Sequence, residues 1–378
     1  MSRKAMKVVV TGAGGLIGWH VAVRLHAANC AARFEKRNEP FELVRLDHAF
    51  FESDTFLHDA LKGADAVLHF AGVNRAPDET LKAANSAIAK RLIDGCKAAG
   101  VYPHIVYANS IHADSDTIYG RSKRQAGDIL SSLGGPYTNI LLPHIFGEGA
   151  RPRYNNVTAT FIEAVIEGAP PDISPHGRVS LLHAGAAAQA SINAVLERRT
   201  GDLRPASRDI AVTELFEILS RFHADYQTNV YPNLSDEFDA ALFNSYRSSL
   251  YPQFFPRALK LNRDGRGTLF EAVKGGGGGQ TFLSTTEPGI TRGDHFHLDK
   301  VERFVVLQGE AVIRIRKVLS DEIWEYRVSG ETPSAVDMPT LHTHSIENVG
   351  DQPLITMFWT NSLFDPAHPD TYADKVHL

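Results

Sequence analysis

Three valines, Val8-Val9-Val10, run into glycines at positions 12, 15 and 18, and residues 16–28 carry apolar side chains at helical spacing. A strand that turns through glycines straight into a helix leaves few folds open. The glycines permit a tight turn, and the first helical turn offers unpaired N–H groups at the positive end of the helix dipole. A dinucleotide pyrophosphate suits that cradle, with Gly12, Gly15, Leu16, Ile17 and Gly18 as candidate contacts. The adenosine end admits two readings. Asp47, closing the second strand, suits the ribose 2′-hydroxyl of NAD, whereas Arg45 suits the 2′-phosphate of NADP.

The alternation continues: 42–47 reads as a strand, 55–62 as a helix, 66–71 as a strand, 80–99 as a helix and 105–108 as a strand. Repeated βα units predict an α/β, Rossmann-type doubly wound parallel sheet. Past 251–256, with two prolines and three aromatics in six residues, helical periodicity gives way to short β-rich runs at 303–307, 311–316 and 356–360. We therefore divide the 378 residues into 1–246 and an all-β domain at 247–378, a length that suits two domains. Five glycines at 275–279 read as a loop beside something functional. With 39 Lys and Arg against 44 Asp and Glu, the net charge of −5 argues against nucleic acid or an anionic membrane surface as partner. Cys30 and Cys96 form no CxxC pair, which disfavours a disulfide framework and a thiolate zinc site. No signal-type segment and no apolar run of roughly 18 residues is seen, so the expectation is a cytoplasmic protein without membrane insertion.

Tyr119 and Lys123 stand four residues apart, on one face if the segment is helical. In that arrangement a lysine ammonium depresses the phenol pKa and holds a ribose, and the tyrosine passes a proton to a carbinol oxygen as hydride moves. Ser110, after the strand at 105–108, can hold the substrate carbonyl, giving Ser110, Tyr119 and Lys123 as candidate catalytic residues. These features resemble the extended short-chain dehydrogenase/reductase superfamily. The phrases 70–75 (Phe-Ala-Gly-Val-Asn-Arg) and 152–161 (Pro-Arg-Tyr-Asn-Asn-Val-Thr-Ala-Thr-Phe) narrow the resemblance to CapF-like capsular-polysaccharide enzymes. The resemblance implies cofactor contacts at Ala71, Gly72 and Lys123 and substrate contacts at Asn74 and Arg75. The chain departs from the superfamily in a short loop between Ser110 and Tyr119. It departs again at 182–186, where Leu-His-Ala-Gly-Ala replaces an aromatic-Val-Asp-Asp run.

Gly289, His295-Phe-His297, Glu302 and Gly309 reproduce the first motif of the cupins, and Pro339, His344 and Asn348 the second, with Leu341 where glycine is usual. The predicted C-terminal fold is thus a cupin (jelly-roll) barrel. Residues i and i+2 of a strand share a face, so His295 and His297 project together, with Glu302 and His344 completing the candidate metal ligands. His342 is a nearby candidate acid or base. Three imidazoles and a carboxylate suit Zn2+ or another divalent transition metal, and the CapF resemblance favours zinc. Residues 264–271 (Asp-Gly-Arg-Gly-Thr-Leu-Phe-Glu) resemble an element of dTDP-4-dehydrorhamnose 3,5-epimerases, which implies Arg266 on a diphosphate and Glu271 on a sugar.

Together the resemblances imply a bifunctional homodimer acting on a UDP-linked 4-keto-6-deoxy amino sugar. The cupin domain would epimerise C3 and the reductase domain would reduce C4, with NADP(H) preferred over NAD(H), toward a 6-deoxy-L-talosamine-type product. An NAD-dependent nucleotide-sugar epimerase or dehydratase with a regulatory or dimerising cupin domain is the alternative; a sugar-nucleotide binding or scaffold protein is the non-enzyme one.

Overall fold

A computed structural model describes residues 4–169 and 171–377, and the chain separates into two compact units. One comprises the chain up to Thr160 together with Ile173–Val212; the other comprises Phe161–Asp172 together with the chain from Thr213 onward.

The first unit contains the strands β1 (Met6–Thr11), β2 (Phe41–Leu46), β3 (Ala66–His69), β4 (His104–Ser110), β5 (Tyr137–Leu142), β6 (His144–Phe146), β7 (Arg178–His183), β8 (Gly201–Leu203) and β9 (Arg208–Ala211). The main sheet has the order β2-β1-β3-β4-β5-β8, and its pairings are all parallel. Parallel strands bury both faces, and β1 shows how. Val8 and Val10 enter one core with Val21 and Leu25 of α1 (Leu16–Phe34) and with Ala187 and Ile192 near 184–196. Val9 enters the other core, where the helix Asp78–Ala98 brings Ala89 and Leu92 and the helix Ile118–Ser131 brings Ala126 and Leu130. Each of the Val, Leu and Ile side chains contributes about 1.5–3 kcal/mol when fully buried. Because β1 lies between β2 and β3, successive connections leave in opposite directions, which opens a crevice at the carboxyl ends of β1 and β3. The short strands β6, β7 and β9 form a separate sheet beyond β5.

The second unit is built on two five-stranded sheets whose pairings are antiparallel. One runs Arg257–Ala258, Ser334–Met338, Glu302–Gln308, Leu354–Thr360, Gln280–Thr286; the other runs Ile323–Ser329, Glu310–Lys317, His342–Asn348, Thr291–Phe296, Tyr372–Ala373. The last helix ends at Ser248 and the next strand starts at Arg257, on either side of the stretch 251–256 where the sequence changes texture. The packing division lies earlier than the sequence division at 246/247, because the helices Val212–Gln227 and Glu237–Ser248 pack on the β-rich unit. Tyr226 donates to the carboxylate of Asp337, which also takes the Arg303 guanidinium side-on at 2.5 and 2.9 Å, and Arg247 donates to the Met338 carbonyl at 2.6 Å. All four side chains are buried. Of the five glycines, Gly275 is paired in a short strand with Tyr231, and Gly277 and Gly278 line a cleft with Asn233 and Trp359. Among the described residues no helix is long and apolar enough to cross a membrane.

Removing one member of a buried ion pair strands the other, a loss that exceeds the net gain of forming the pair. Asp337→Asn leaves Arg303 without a counter-charge, so the β-rich unit should lose about 3–5 kcal/mol. Chemical denaturation with a probe in that unit checks this; an unchanged midpoint would show that the pair does not anchor the helices.

Candidate active sites

At the first site, Gly12 has a φ of +67°, and a Cβ there would stand 2.7 Å from the Ala71 nitrogen. At Gly18 a Cβ would lie 2.1 Å from the Gly12 carbonyl oxygen, so only glycine lets α1 start this close behind β1. The helix begins at Gly15 with neither a side-chain cap nor an acidic residue in its first turn, where Leu16, Ile17 and Gly18 lie, so the positive end of its dipole is not neutralised from within. Ala71 and Gly72 follow the neighbouring strand, beside that turn. Arg45 is exposed in β2; Asp47, just past its end, is exposed and accepts from the Ala49 N–H at 3.1 Å.

Tyr119 and Lys123 lie one turn apart on the helix Ile118–Ser131, whose N-terminus Thr117 caps, and Ser110 ends β4. The Ser110 hydroxyl is hydrogen-bonded to the Tyr119 phenol. The expected depression of the phenol pKa is not what the structure shows. Burial raises Tyr119 above its ordinary value, opposed only by that hydrogen bond. Lys123 points its ammonium into β4, donating to the Ala108 carbonyl at 2.6 Å and lying 4.3 Å from the centre of the Tyr107 ring. Burial lowers its pKa to about 7.

Asn85 is a residue that spacing did not single out. Its amide grips both backbone groups of Val73, at 2.8 and 2.9 Å, and donates to Ser122 at 3.0 Å, so it fixes the loop after β3 to the Tyr-Lys helix. Asn74 and Arg75 are exposed, and Arg75 donates to the Arg153 carbonyl at 3.2 Å. The segments 70–75 and 152–161 therefore meet.

The departure at 182–186 has a physical counterpart. A Cβ on Gly185 would lie 2.3 Å from an Arg24 nitrogen, so an acidic side chain does not fit there unless Arg24 moves. Beside this segment stands Glu148, fully buried after β6, whose Oε2 lies 2.8 Å from His183 Nε2. His20 of α1 binds the Glu148 carbonyl through Nε2 at 2.9 Å. Burial lowers the His20 pKa to about 3. Burial also opposes ionisation of Glu148, but the charges and hydrogen bond of His183, with His20, outweigh it and hold the carboxyl well below the usual range.

The second site lies where the two five-stranded sheets face each other. His295 and His344 come from one sheet, His297 from the residue just past the strand Thr291–Phe296, and Glu302 from the other sheet, and their donor atoms all lie within 4.8 Å of one another. A bulge between Gly293 and His295, with Asp294 at φ +55°, re-aims the first histidine. Glu302 stands 3.0 Å from His297 Nε2 and 3.2 Å from His344 Nε2. The buried His344 nitrogen meets no hydrogen-bond geometry, which is the condition of a donor atom aimed at an ion. Burial opposes both charges of the Glu302–His297 pair, yet the hydrogen bond between them keeps Glu302 well below, and His297 above, its ordinary pKa. Burial lowers His295 to about 3 and also lowers His344. This donor set fits a divalent transition metal. His342 is buried, stacked on Trp324, with Nδ1 2.8 Å from the Thr340 carbonyl. Arg266 and Glu271 are not brought to this cluster's ligand set. Arg266 turns a separate two-stranded hairpin, exposed and paired with Asp264 at 2.5 Å, and Glu271 pairs with Lys274 at 3.3 Å.

A glycine cradle at a sheet's switch point with Ser, Tyr and Lys nearby defines a nicotinamide-dependent short-chain oxidoreductase class. Comparison with known proteins agrees. Residues 8–203 match the NAD dependent epimerase/dehydratase family, and residues 262–372 match the polysaccharide biosynthesis C-terminal domain. The chain belongs to the NAD dependent epimerase/dehydratase family and is CapF-like along nearly its whole length. It is 31% identical over 384 residues to the UDP-2-acetamido-2,6-beta-L-arabino-hexul-4-ose reductase of Pseudomonas aeruginosa, covering 98% of this chain and 99% of that one. It is 29% identical to the crystal structure of the capsular polysaccharide assembling protein CapF from Staphylococcus aureus, over 98% and 100% of the two chains, with a TM-score of 0.58. A CapF structure with the inhibitor 3-isopropenyl-tropolone, also 29% identical over the same shares, gives 0.52.

The buried triad sets an acid limit on the first unit. His20 has a folded pKa below its unfolded one, so the unfolded chain takes up the proton first and stability falls as pH drops below about 6.5. Glu148, also depressed, contributes stability above its ordinary pKa that is lost on further acidification. Both act in one direction. Melting temperature should fall from pH 7 to pH 4.5, and His20→Gln should flatten that slope by up to about 1.4 kcal/mol per pH unit in stability. An unaltered slope in the variant would exclude His20 as the cause.

Proposed function

We propose that the protein is a bifunctional UDP-sugar enzyme of polysaccharide biosynthesis: its C-terminal site inverts C3 of a UDP-linked 2-acetamido-2,6-dideoxy-4-hexulose, and its N-terminal site reduces C4. The observation that carries this reading is the Ser110, Tyr119 and Lys123 arrangement beside a glycine cradle in a chain matched end to end by a 4-keto-sugar reductase. A capsular-polysaccharide protein matched over the same length supports the setting.

In the reduction, Ser110 holds the C4 carbonyl and Tyr119 gives its phenolic proton to the oxygen as negative charge builds there. The raised pKa of Tyr119 keeps it protonated until then. Lys123, titrating near neutrality, holds the ribose and returns a proton toward the phenol. A reduced nicotinamide, held by Gly12, Gly15, Leu16, Ile17, Gly18, Ala71 and Gly72, supplies the hydride when bound. We read NADPH as preferred, with Arg45 toward the 2′-phosphate and Asp47 as the counter-indication.

In the inversion, the C4 ketone acidifies the C3 proton, which leaves one face and returns to the other. His342, with Nδ1 toward the Thr340 carbonyl, is the candidate for moving that proton through Nε2. His295, His297, Glu302 and His344, in a cupin barrel, would hold a divalent metal, read as zinc, which would supply Lewis-acid chemistry at the pocket or a fixed pocket wall. Asn74 and Arg75 remain candidate sugar contacts at the reductase site, and Arg266 and Glu271 candidate diphosphate and sugar contacts at the other. A homodimer is supported by the strand Gln280–Thr286, which ends its sheet with Phe282 and Leu283 exposed, an edge that a second copy would cover.

Tyr119→Phe should lower kcat for 4-keto-sugar reduction by about 10²–10⁴-fold while cofactor affinity stays nearly constant, because the phenolic proton matters only in the transition state. Steady-state NADPH oxidation with cofactor titration checks both arms, and NADH in parallel tests the cofactor preference. Near wild-type turnover in the variant would end the reductase reading.

A further inference from the structure

We propose that Asp370, near the C-terminus, is a positioning residue of the histidine-glutamate site: it fixes the orientation of His297 and the turn that delivers Glu302. The proposal rests on the metal reading of that cluster.

His297 and Glu302 are joined by the short turn 298–301. Three consecutive N–H groups of that turn, those of Leu298, Asp299 and Lys300, lie outside the strands and donate to the Asp370 carboxylate, at 2.8, 3.0 and 2.8 Å. A carboxylate that accepts three backbone donors is a strong charge-assisted anchor. The same residue's backbone carbonyl accepts from His297 Nδ1 at 2.5 Å. A carbonyl only accepts, so Nδ1 must carry the proton and Nε2 is left toward Glu302, 3.0 Å away. One residue thus sets the tautomer of one ligand and the backbone leading to another. Its φ of +42° is a left-handed conformation that Asp tolerates better than most residues.

The anchor is itself held. Lys300 reaches back to the Pro369 carbonyl at 2.6 Å. Downstream, Tyr372 pairs with Phe296 between the two histidines, and Arg316 grips Asp374 at 2.7 Å together with the Lys375 and Val376 carbonyls. Asp294, at the bulge before His295, accepts from Val376 at 3.1 Å through its side chain. The segment 369–376 therefore straps the His-x-His strand from outside, and Asp370 is the point at which the strap touches the ligands' own hydrogen bonds.

The test is zinc binding to the full-length protein, stripped of metal and titrated against a chromophoric chelator, with His344→Ala as control for the metal reading. Asp370→Ala should weaken zinc affinity by about 10–100-fold, and Asp370→Asn, which keeps one accepting oxygen, by less. Long-range 1H–15N imidazole spectra of the zinc-loaded protein should show His297 protonated at Nδ1 in one environment in the wild type, and a shifted or doubled Nδ1–H signal in Asp370→Ala, where the carbonyl that accepts from it loses the carboxylate that seats it. If the wild type binds no zinc, or His344→Ala binds as well as wild type, the metal reading fails and takes the proposal with it. If the wild type binds and both Asp370 variants match it, the positioning role alone is overturned. Should Asp370→Ala not fold, Asp370→Asn decides; loss of fold in both would make Asp370 a structural cap and overturn the proposal.

Discussion

A carboxylate buried among apolar strands needs a counter-charge, and in the C-terminal unit Glu302 meets that demand with His297, 3.0 Å away and held above its ordinary pKa, in a cluster that His295 and His344 of the facing sheet complete. The two sheets are thereby tied in register at their centre: Glu302 sits opposite Met338 and Thr360 in its own sheet, while His344 sits opposite His295 and Ile315 in the other. A one-residue slip of any of these strands would turn a ligand out of the cluster. Directly behind, Arg303 points to the opposite face, into the Asp337 pair that holds the two helices. Adjacent residues of one strand thus serve the site and the helical layer.

Much of this was legible in the sequence where the chemistry is local. Gly12 and Gly18 announced the turn because a close approach excludes every larger side chain, and the His-x-His spacing announced a shared strand face. The strands β1 to β4 fell within a residue or two of expectation, except that β3 stops at His69 where the chain turns toward Ala71. What escaped notice depends on partners far apart in the chain. Asn85 is an ordinary helical asparagine until Val73 folds against it. Glu148 looks like a loop carboxylate until His20 and His183 close around it. The helices Val212–Gln227 and Glu237–Ser248 read as a continuation of the first domain, because helical periodicity says nothing about which unit an apolar face packs on.

The two sites differ in the protonation they are built to hold. At the first, burial holds Tyr119 above its ordinary pKa and lowers Lys123 to about 7, the pairing on which the proposed reduction relies. At the second, a charged carboxylate is surrounded by imidazoles, two of them held below their ordinary pKa, which suits cation binding. The proposed hydride delivery and proton inversion would make these different demands, and each unit carries its own donor set.

The central claim is that these chemistries are separate, and isotope exchange reads it directly. In D2O, with metal but without any nicotinamide, the full-length protein should wash deuterium into C3 of a UDP-linked 4-keto-6-deoxy amino sugar, and Tyr119→Phe should do so at the wild-type rate. Exchange that requires a nicotinamide, or that disappears with the Tyr119 hydroxyl, would contradict the account.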